Sequence, residues 1–327
     1  MGVIASPMKL VLCYPVEAKH IAQIQAVGPE LEIVDAGQER VAHELHHCDL
    51  FCGHPKVPID WDRLVDGARL KWIQSSAAGL DHCLVASVIQ SEIIVTSASG
   101  VLADQVAEHT LALLLGLLRG LPVFFRAQQK REFIRRPTRD LHFNTVGIVG
   151  MGGNGRRLVE VLAPWKLRIL ATDYFPFDKP PQVEQLWPAD RLIDLARHSD
   201  ILILAAPLTP ATCGMIDRQV LGAMKPGSVL INVARGGLVV EVDLVNALSS
   251  GHLWGAAVDV TATEPLQPDS PLWELPNVII TPHVGGQFAR RIDQMTDFFC
   301  ENLARYLAGE PLKNLVDKRL GFPVRQP

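Results

Sequence analysis

No stretch of the chain stays apolar for the roughly 20 positions that a membrane-spanning helix needs. The longest candidate, Thr110 to Phe125, is interrupted by Arg119 and Pro122 and preceded by Glu108 and His109, so it reads as a buried helix. Nor is there a block of lysines and arginines: 31 basic residues stand against 35 acidic ones, for a net charge of −4. Without a basic stripe to neutralise phosphates, nucleic acid is not an expected partner. Cysteine is scarce, with six residues (Cys13, Cys48, Cys52, Cys83, Cys213, Cys300) at irregular spacing. That is the usage of reduced, buried thiols, and no disulfide is assigned. The segment Met1 to Tyr14 carries one lysine, Lys9, followed by only four apolar residues before Tyr14, too little for the apolar region of a secretion signal. A cytoplasmic location is the expectation. Repeats, low-complexity tracts and flexible linkers are missing too, so any domain boundary has to come from the rhythm of strands and helices.

What is present is a globular composition, 48% apolar and 20% charged, in 327 residues. That length favours two domains of roughly 150 residues each over one core. Short apolar runs alternate with helix-like segments throughout. The first series is Leu10–Cys13, Glu32–Val34, Leu50–Cys52 and Ile93–Thr96. The second is Val146–Gly150, Arg168–Thr172, Ile201–Ala205, Val229–Val233, Ala256–Val260 and Val278–Thr281. Strands apolar on both faces and separated by helices predict parallel sheets covered on both sides. The expected fold is therefore α/β with two doubly wound parallel-sheet domains. One is a Rossmann dinucleotide-binding domain over about 108–300. The other is a flavodoxin-like substrate domain over about 1–107, with 301–327 returning to it. A helix of about 20 residues beginning near Val101 and running to Leu118 is expected to join the two series. A second long helix is expected over Phe288 to Ala308.

The run Asn144-Thr145-Val146-Gly147-Ile148-Val149-Gly150-Met151-Gly152-Gly153-Asn154-Gly155 is a strand ending in G-x-G-x-x-G and entering a helix. Gly150 permits the tight turn, Gly152 lets backbone amides approach a pyrophosphate, and Gly155 allows close helix–strand packing. Gly153 and Asn154 supply further amides. Asp173 stands 18 residues beyond Gly155, at the end of the next strand, where a carboxylate can accept from both adenosine ribose hydroxyls. The same charge repels a 2′-phosphate, and Tyr174 and Phe175 bring no arginine to host one, so NAD is the expected cofactor. Glycines and a strand-end acid alone leave an S-adenosylmethionine site open.

The second half narrows this. Pro207-Leu208-Thr209-Pro210-Ala211-Thr212, Met224-Lys225-Pro226-Gly227, Ile231-Asn232-Val233-Ala234-Arg235-Gly236-Gly237, Val258-Asp259-Val260 with Glu264-Pro265, and Asn277-Val278-Ile279-Ile280-Thr281-Pro282-His283 occur in that order. With these motifs the chain resembles the D-isomer-specific 2-hydroxyacid dehydrogenases, which include glyoxylate, hydroxypyruvate and phosphoglycerate dehydrogenases. The match is dense from about Ser97 to Gly286 and looser at Ser75-Ser76-Ala77-Ala78-Gly79-Leu80-Asp81.

The resemblance implies Arg235, Glu264 and His283 as catalytic residues. A guanidinium suits the planar carboxylate of a 2-oxo acid and polarises the adjacent carbonyl. An imidazole is the group to protonate the carbonyl oxygen as hydride arrives, and a carboxylate beside it orients the ring and favours imidazolium. The resemblance further implies that amides at Ala78 and Gly79 bind substrate together with Arg235 and His283. It also implies that Val233, Ala234, Arg235, His283 and Gly285 line the nicotinamide end, that Asp259 binds the carboxamide, and that the Pro207–Thr212 segment faces adenosine. A homodimer through the long helix is implied in the same way. Asn154, where an apolar residue is common, and Thr261-Ala262-Thr263, where an aromatic residue often stands before Glu-Pro, depart from the family pattern.

His46-His47-Cys48 with Cys52 and His54 raises a zinc reading. Leu50-Phe51-Cys52 reads as a strand with alternating side chains, which opposes tetrahedral convergence, so no metal is assigned. For substrate, phosphoglycerate dehydrogenases commonly carry an arginine near Cys52 to hold a phosphate; a thiol there points to an unphosphorylated 2-oxo acid of the glyoxylate or hydroxypyruvate type. Two other readings stay open: an NAD-sensing corepressor-like binding protein of the same fold, and a 3-phosphoglycerate dehydrogenase. With the sequence ending at Pro327, the regulatory domain of the latter and its serine control are not expected.

Overall fold

The computed structural model describes residues 7–324, which divide into two compact units. The first takes the residues up to 102 and those from 288 onward; the second is 103–287. Residues 1–6 and 325–327, parts of the leader and C-terminal readings above, lie outside the described residues.

In the first unit, β1 (Lys9–Cys13), β2 (Glu32–Asp35), β3 (Leu50–Gly53), β4 (Trp72–Ser75) and β5 (Ile94–Thr96) form a parallel sheet in the order β2-β1-β3-β4-β5. This is the flavodoxin-type order. The period-2 geometry of β1 sends Leu10 and Leu12 into one core and Val11 and Cys13 into the other. Helices Ala18–Val27 and Arg291–Ala308 cover the first face; Gly37–Glu44, Trp61–Asp66 and Ala86–Gln90 cover the second.

In the second unit, β6 (Thr145–Val149), β7 (Arg168–Asp173), β8 (Gln185–Pro188), β9 (Ile201–Leu204), β10 (Ser228–Asn232), β11 (Leu253–Val258) and β12 (Val278–Ile280) are parallel, in the order β12-β11-β10-β9-β6-β7-β8. This is the Rossmann winding, with the order reversing between β6 and β9. A ligand of such a sheet sits beyond the strand C-termini at that reversal. Ile201 and Ile203 face the core shared with helix Ala103–Leu118, while Leu202 and Leu204 face the opposite one. A small hairpin, β13 (Val316–Asp317) with β14 (Phe322–Pro323), lies in the C-terminal segment of the first unit.

The unit boundaries at 102/103 and 287/288 differ from 107/108 and 300/301 read from sequence. A helix buries one face as a whole, so it joins one core entire. Ala107, Leu113, Leu114, Leu117 and Leu118 of helix Ala103–Leu118 pack with Val146 and Ile148 in the second unit. Phe299, Cys300 and Leu303 of helix Arg291–Ala308 pack with Leu10 and Leu12 in the first. The expected joining helix is also shorter, at 16 residues. It stops before Gly120, whose φ of +71° is left-handed, and a separate helix, Leu121–Gln129, starts with Pro122 in its first turn. Among the described residues no single helix is long and apolar enough to cross a membrane.

Candidate active site

The β6–helix turn is shaped by its glycines. Gly150 has a φ of +97°, and a Cβ there would stand 2.8 Å from the carbonyl carbon of Ala205, beyond the end of β9. A Cβ on Gly155 would stand 2.1 Å from the carbonyl oxygen of Gly150. Only glycine allows the helix to start so near the strand. Helix Gly153–Leu162 begins at Gly152 with no side-chain cap and no acidic residue in its first turn. Its leading N–H groups and the positive end of its dipole therefore face outward at the reversal of strand order, which fits a pyrophosphate. Asn154 lies in the first turn of that helix.

Asp173 ends β7 beside this turn. Its Oδ2 accepts from the N–H of Met151 and its Oδ1 from the N–H of Phe175 at 2.8 Å. The carboxylate thus braces the glycine loop, a role the ribose-binding expectation did not include. Thr212 is likewise turned inward: its Oγ1 donates to the carbonyl of Pro207 at 2.7 Å and accepts from the N–H of Thr209 at 2.8 Å. The hydroxyl holds the 207–212 turn.

At the C-terminal end of β10, buried Asn232 organises the next segment. Its Nδ2 donates to the carbonyl of Arg235 at 3.0 Å and its Oδ1 accepts from the N–H of Ala234 at 3.1 Å. Val233 and Ala234 are buried, and Arg235 is half-buried with Nη1 donating to the carbonyl of Ala234 at 2.7 Å. Gly236 follows because a Cβ there would lie 1.9 Å from the carbonyl carbon of Thr261. That contact brings the 235–236 turn against the 259–264 loop.

Within that loop Glu264 accepts through Oε1 from the N–H of Thr261 at 3.2 Å, and its Oε2 meets Nδ1 of His283 at 2.8 Å. The N–H of Ala262 donates to Glu241 Oε1 at 2.6 Å, which anchors the loop from the helix that follows β10. The side chains of His283 and Glu264 are 47% and 40% exposed, so the imidazole is open to a ligand while Nδ1 is occupied. His283 has a left-handed φ of +54°, held by its N–H donating to the carbonyls of Asp259 at 2.7 Å and Thr281 at 3.1 Å. A non-glycine residue in this region is strained, and such strain persists where the surroundings over-determine it. Gly285 is buried, donating its N–H to Asp259.

Of the expected residues, Glu264 and His283 are thus in direct contact and Asp259 reaches the His283 turn through backbone. Ala78 and Gly79 belong to the first unit, in the loop after β4, with Ala78 exposed and Gly79 half-buried. That loop is tied by Ser75 Oγ, which accepts from the N–H of Ala77 at 3.1 Å. Cys52 is 2% exposed and points into the core with Leu10, Leu12 and Phe299, so the position does not face a substrate. The residue beyond the sheet edge is His54, whose ring stacks on His82 at 4.0 Å. Cys48 and Cys52 lie in different cores, which separates the two thiols of the zinc reading. Asn232, Glu241, Thr281 and His109 were not read as site residues; a polar Asn232 ending an otherwise apolar strand was the available signal for the first.

Residues 111–285 match the family profile described as the D-isomer specific 2-hydroxyacid dehydrogenase, NAD binding domain. The chain is 31% identical over 300 residues to D-3-phosphoglycerate dehydrogenase of Mycobacterium tuberculosis, covering 90% of itself but only 56% of that protein. It is 33% identical over 263 residues to glyoxylate/hydroxypyruvate reductase A of Arabidopsis thaliana, covering 80% and 82% of the two. Among solved structures, a D-isomer specific 2-hydroxyacid dehydrogenase from Xanthobacter autotrophicus, in complex with NADPH and MES, superposes with a TM-score of 0.82. Identity to it is 29%, and the match covers 97% of this chain and all of the other.

Proposed function

We propose that this chain, which belongs to the D-isomer-specific 2-hydroxyacid dehydrogenase family, reduces a small unphosphorylated 2-oxo acid of the glyoxylate or hydroxypyruvate type to its 2-hydroxy acid, with NADH. The observation that carries the reading is the 2.8 Å contact of His283 Nδ1 with Glu264 Oε2. With Nδ1–H donated to the carboxylate, Nε2 is the nitrogen left to give a proton to a substrate carbonyl oxygen, and it takes one back in the reverse direction. Glu264 is itself held by the N–H of Thr261, so the ring is oriented before substrate arrives. Arg235 is the guanidinium for the substrate carboxylate and for polarising the carbonyl. When bound, the nicotinamide cofactor supplies the hydride, and the turn at Gly150, Gly152, Gly153, Asn154 and Gly155 would hold its pyrophosphate.

Preference for NADH over NADPH rests on Asp173, because a carboxylate at the ribose end disfavours a 2′-phosphate. The unphosphorylated substrate rests on the family resemblance, since the segment 52–56, where phosphoglycerate dehydrogenases commonly carry an arginine, holds none. Likeness to phosphoglycerate dehydrogenase supports the second reading, reduction of a phosphorylated 2-oxo acid.

Steady-state reduction of glyoxylate, hydroxypyruvate, phenylpyruvate and 3-phosphohydroxypyruvate, each with NADH and NADPH at one ionic strength, separates the two readings. The expected order puts the first two compounds and NADH ahead in kcat/KM. A preference for the phosphorylated compound overturns the substrate assignment, a preference for NADPH overturns that of Asp173, and absence of turnover with every compound favours a binding protein. His283→Ala is expected to lower kcat by about 10²–10⁴ with NADH affinity retained; wild-type kcat would end the proton-donor assignment.

A further inference from the structure

Asp259 directly follows β11 with its side chain 2% exposed, yet it carries a carboxylate. Burying such a group is costly unless donors surround it. Four do. Oδ1 accepts from Thr281 Oγ1 at 2.6 Å and from the N–H of Val284 at 2.9 Å, and it lies 3.2 Å from His109 Nε2; Oδ2 accepts from the N–H of Gly285 at 2.8 Å. His109 Nε2 also stands 3.0 Å from Thr281 Oγ1.

This geometry assigns the tautomer. Thr281 has one hydroxyl proton, committed to Asp259, so both oxygens facing His109 Nε2 present lone pairs and that nitrogen must carry the proton. The donor set converges on the turn that contains His283. Residues 281, 284 and 285 are all tied to one carboxylate, and the His283 N–H is tied to the carbonyl of the same residue at 2.7 Å. The left-handed backbone of His283 is therefore closed on both sides by Asp259, and the ring it carries is thereby aimed at Glu264. His109 lies on helix Ala103–Leu118, and at 19% exposed it is largely out of solvent.

We propose that His109 and Thr281 are positioning residues for proton transfer at His283: they lock the Asp259 carboxylate, which holds the 281–285 turn. Neither donates the proton itself. The proposal rests on the reading of His283 as proton donor given above, and the experiment separates failure of one from failure of the other.

Measure kcat for glyoxylate and hydroxypyruvate at saturating NADH, NADH affinity by protein fluorescence, and melting temperature. The variants are His109→Ala, His109→Gln, Thr281→Val, His283→Ala, and the doubles His109→Ala/His283→Ala and Thr281→Val/His283→Ala. His109→Ala and Thr281→Val are expected to lower kcat by about tenfold to a hundredfold, the effect of a slightly misplaced catalytic group. NADH affinity should fall by a smaller factor than kcat, since the pyrophosphate turn lies elsewhere on the sheet and is untouched. His109→Gln should recover most of the kcat, because its amide N–H reaches the same oxygens. In the His283→Ala background the further loss from either change should shrink to under about twofold, because there is no longer a ring to position.

An equal factor in both backgrounds overturns the proposal. So does wild-type kcat in a variant with only a lowered melting temperature, or an effect confined to NADH affinity. If His109→Ala does not fold, the near-isosteric Thr281→Val pair decides alone. Wild-type turnover in His283→Ala overturns the functional reading instead.

Discussion

Burial separates the six thiols chemically. Cys13, Cys48, Cys52, Cys83 and Cys300 are buried and Cys213 is exposed. Loss of hydration pushes Cys48 and Cys83 up to about 12 and Cys13 and Cys300 up to about 11, from an ordinary 9.0, and raises Cys52 as well. Only the thiolate attacks an aromatic disulfide reagent, so at about pH 8 the native protein should titrate rapidly at Cys213 alone, and at the other five after denaturation. Rapid labelling of a second native thiol would refute the packing described. The consequence for stability has a definite sign. Above about pH 9 the unfolded chain loses thiol protons that the native state keeps, so the contribution of these cysteines is full below that pH and falls as pH rises toward 11 to 12. Urea midpoints that decline between about pH 8 and pH 10, and decline less in Cys48→Ala and Cys83→Ala, check it.

Among elements, the turn from β6 into helix Gly153–Leu162 has little tolerance. Because a Cβ on Gly155 would sit 2.1 Å from the Gly150 carbonyl oxygen, Gly155→Ala must push the helix start away from the strand. NADH affinity is expected to fall at least about tenfold with a lower melting temperature, measured by fluorescence titration and thermal melts. Unchanged affinity would mean that the turn does not hold the pyrophosphate. Elements the sequence reading missed have physical reasons for being hard to see. Strand β8 lies at the sheet edge with only Leu186 buried and Pro188 at its end, so neither alternation nor an apolar run marks it. Strand β4 contains Gln74, a polar residue 1% exposed. It is accommodated by Thr96 at 2.8 Å and by Asn302 at 2.9 Å, a partner 228 residues away that no local window contains. The helix break at Gly120 was legible, since glycine after a helix and proline at the start of the next are both present, yet the continuous apolar run outweighed them.

For the whole molecule, the surface after the long helix bears on assembly. Helix Ala103–Leu118 spends its apolar face on its own unit, but the arm that follows leaves Phe125 58%, Phe133 91% and Phe143 82% exposed. Large exposed aromatics of this kind are candidates for a contact surface. We propose that the chain is a homodimer, as the resemblance implies through the long helix, with the segment that follows that helix taking part in the contact. Light scattering at micromolar concentration is expected to give twice the 35.9 kDa chain mass, and Phe133→Ser should shift it toward monomer; a monomer in the unaltered protein would refute this. Local chemistry was legible from residue order alone: the strand–helix rhythm of two parallel sheets and the glycine spacing that shapes the turn after β6, whereas Arg235, Glu264 and His283 were singled out by the family resemblance. The rhythm and the spacing depend only on neighbours a few positions away. Tertiary structure alone decided that Glu264 Oε2 meets His283 Nδ1, that Asp173 braces Met151, that Asp259 gathers donors from residues 109, 281, 284 and 285, and where one unit gives way to the other. Those are relations of a few ångströms between residues distant in the chain, set by which strands become neighbours, and β6 lies beside β9 for reasons of winding and not of sequence order.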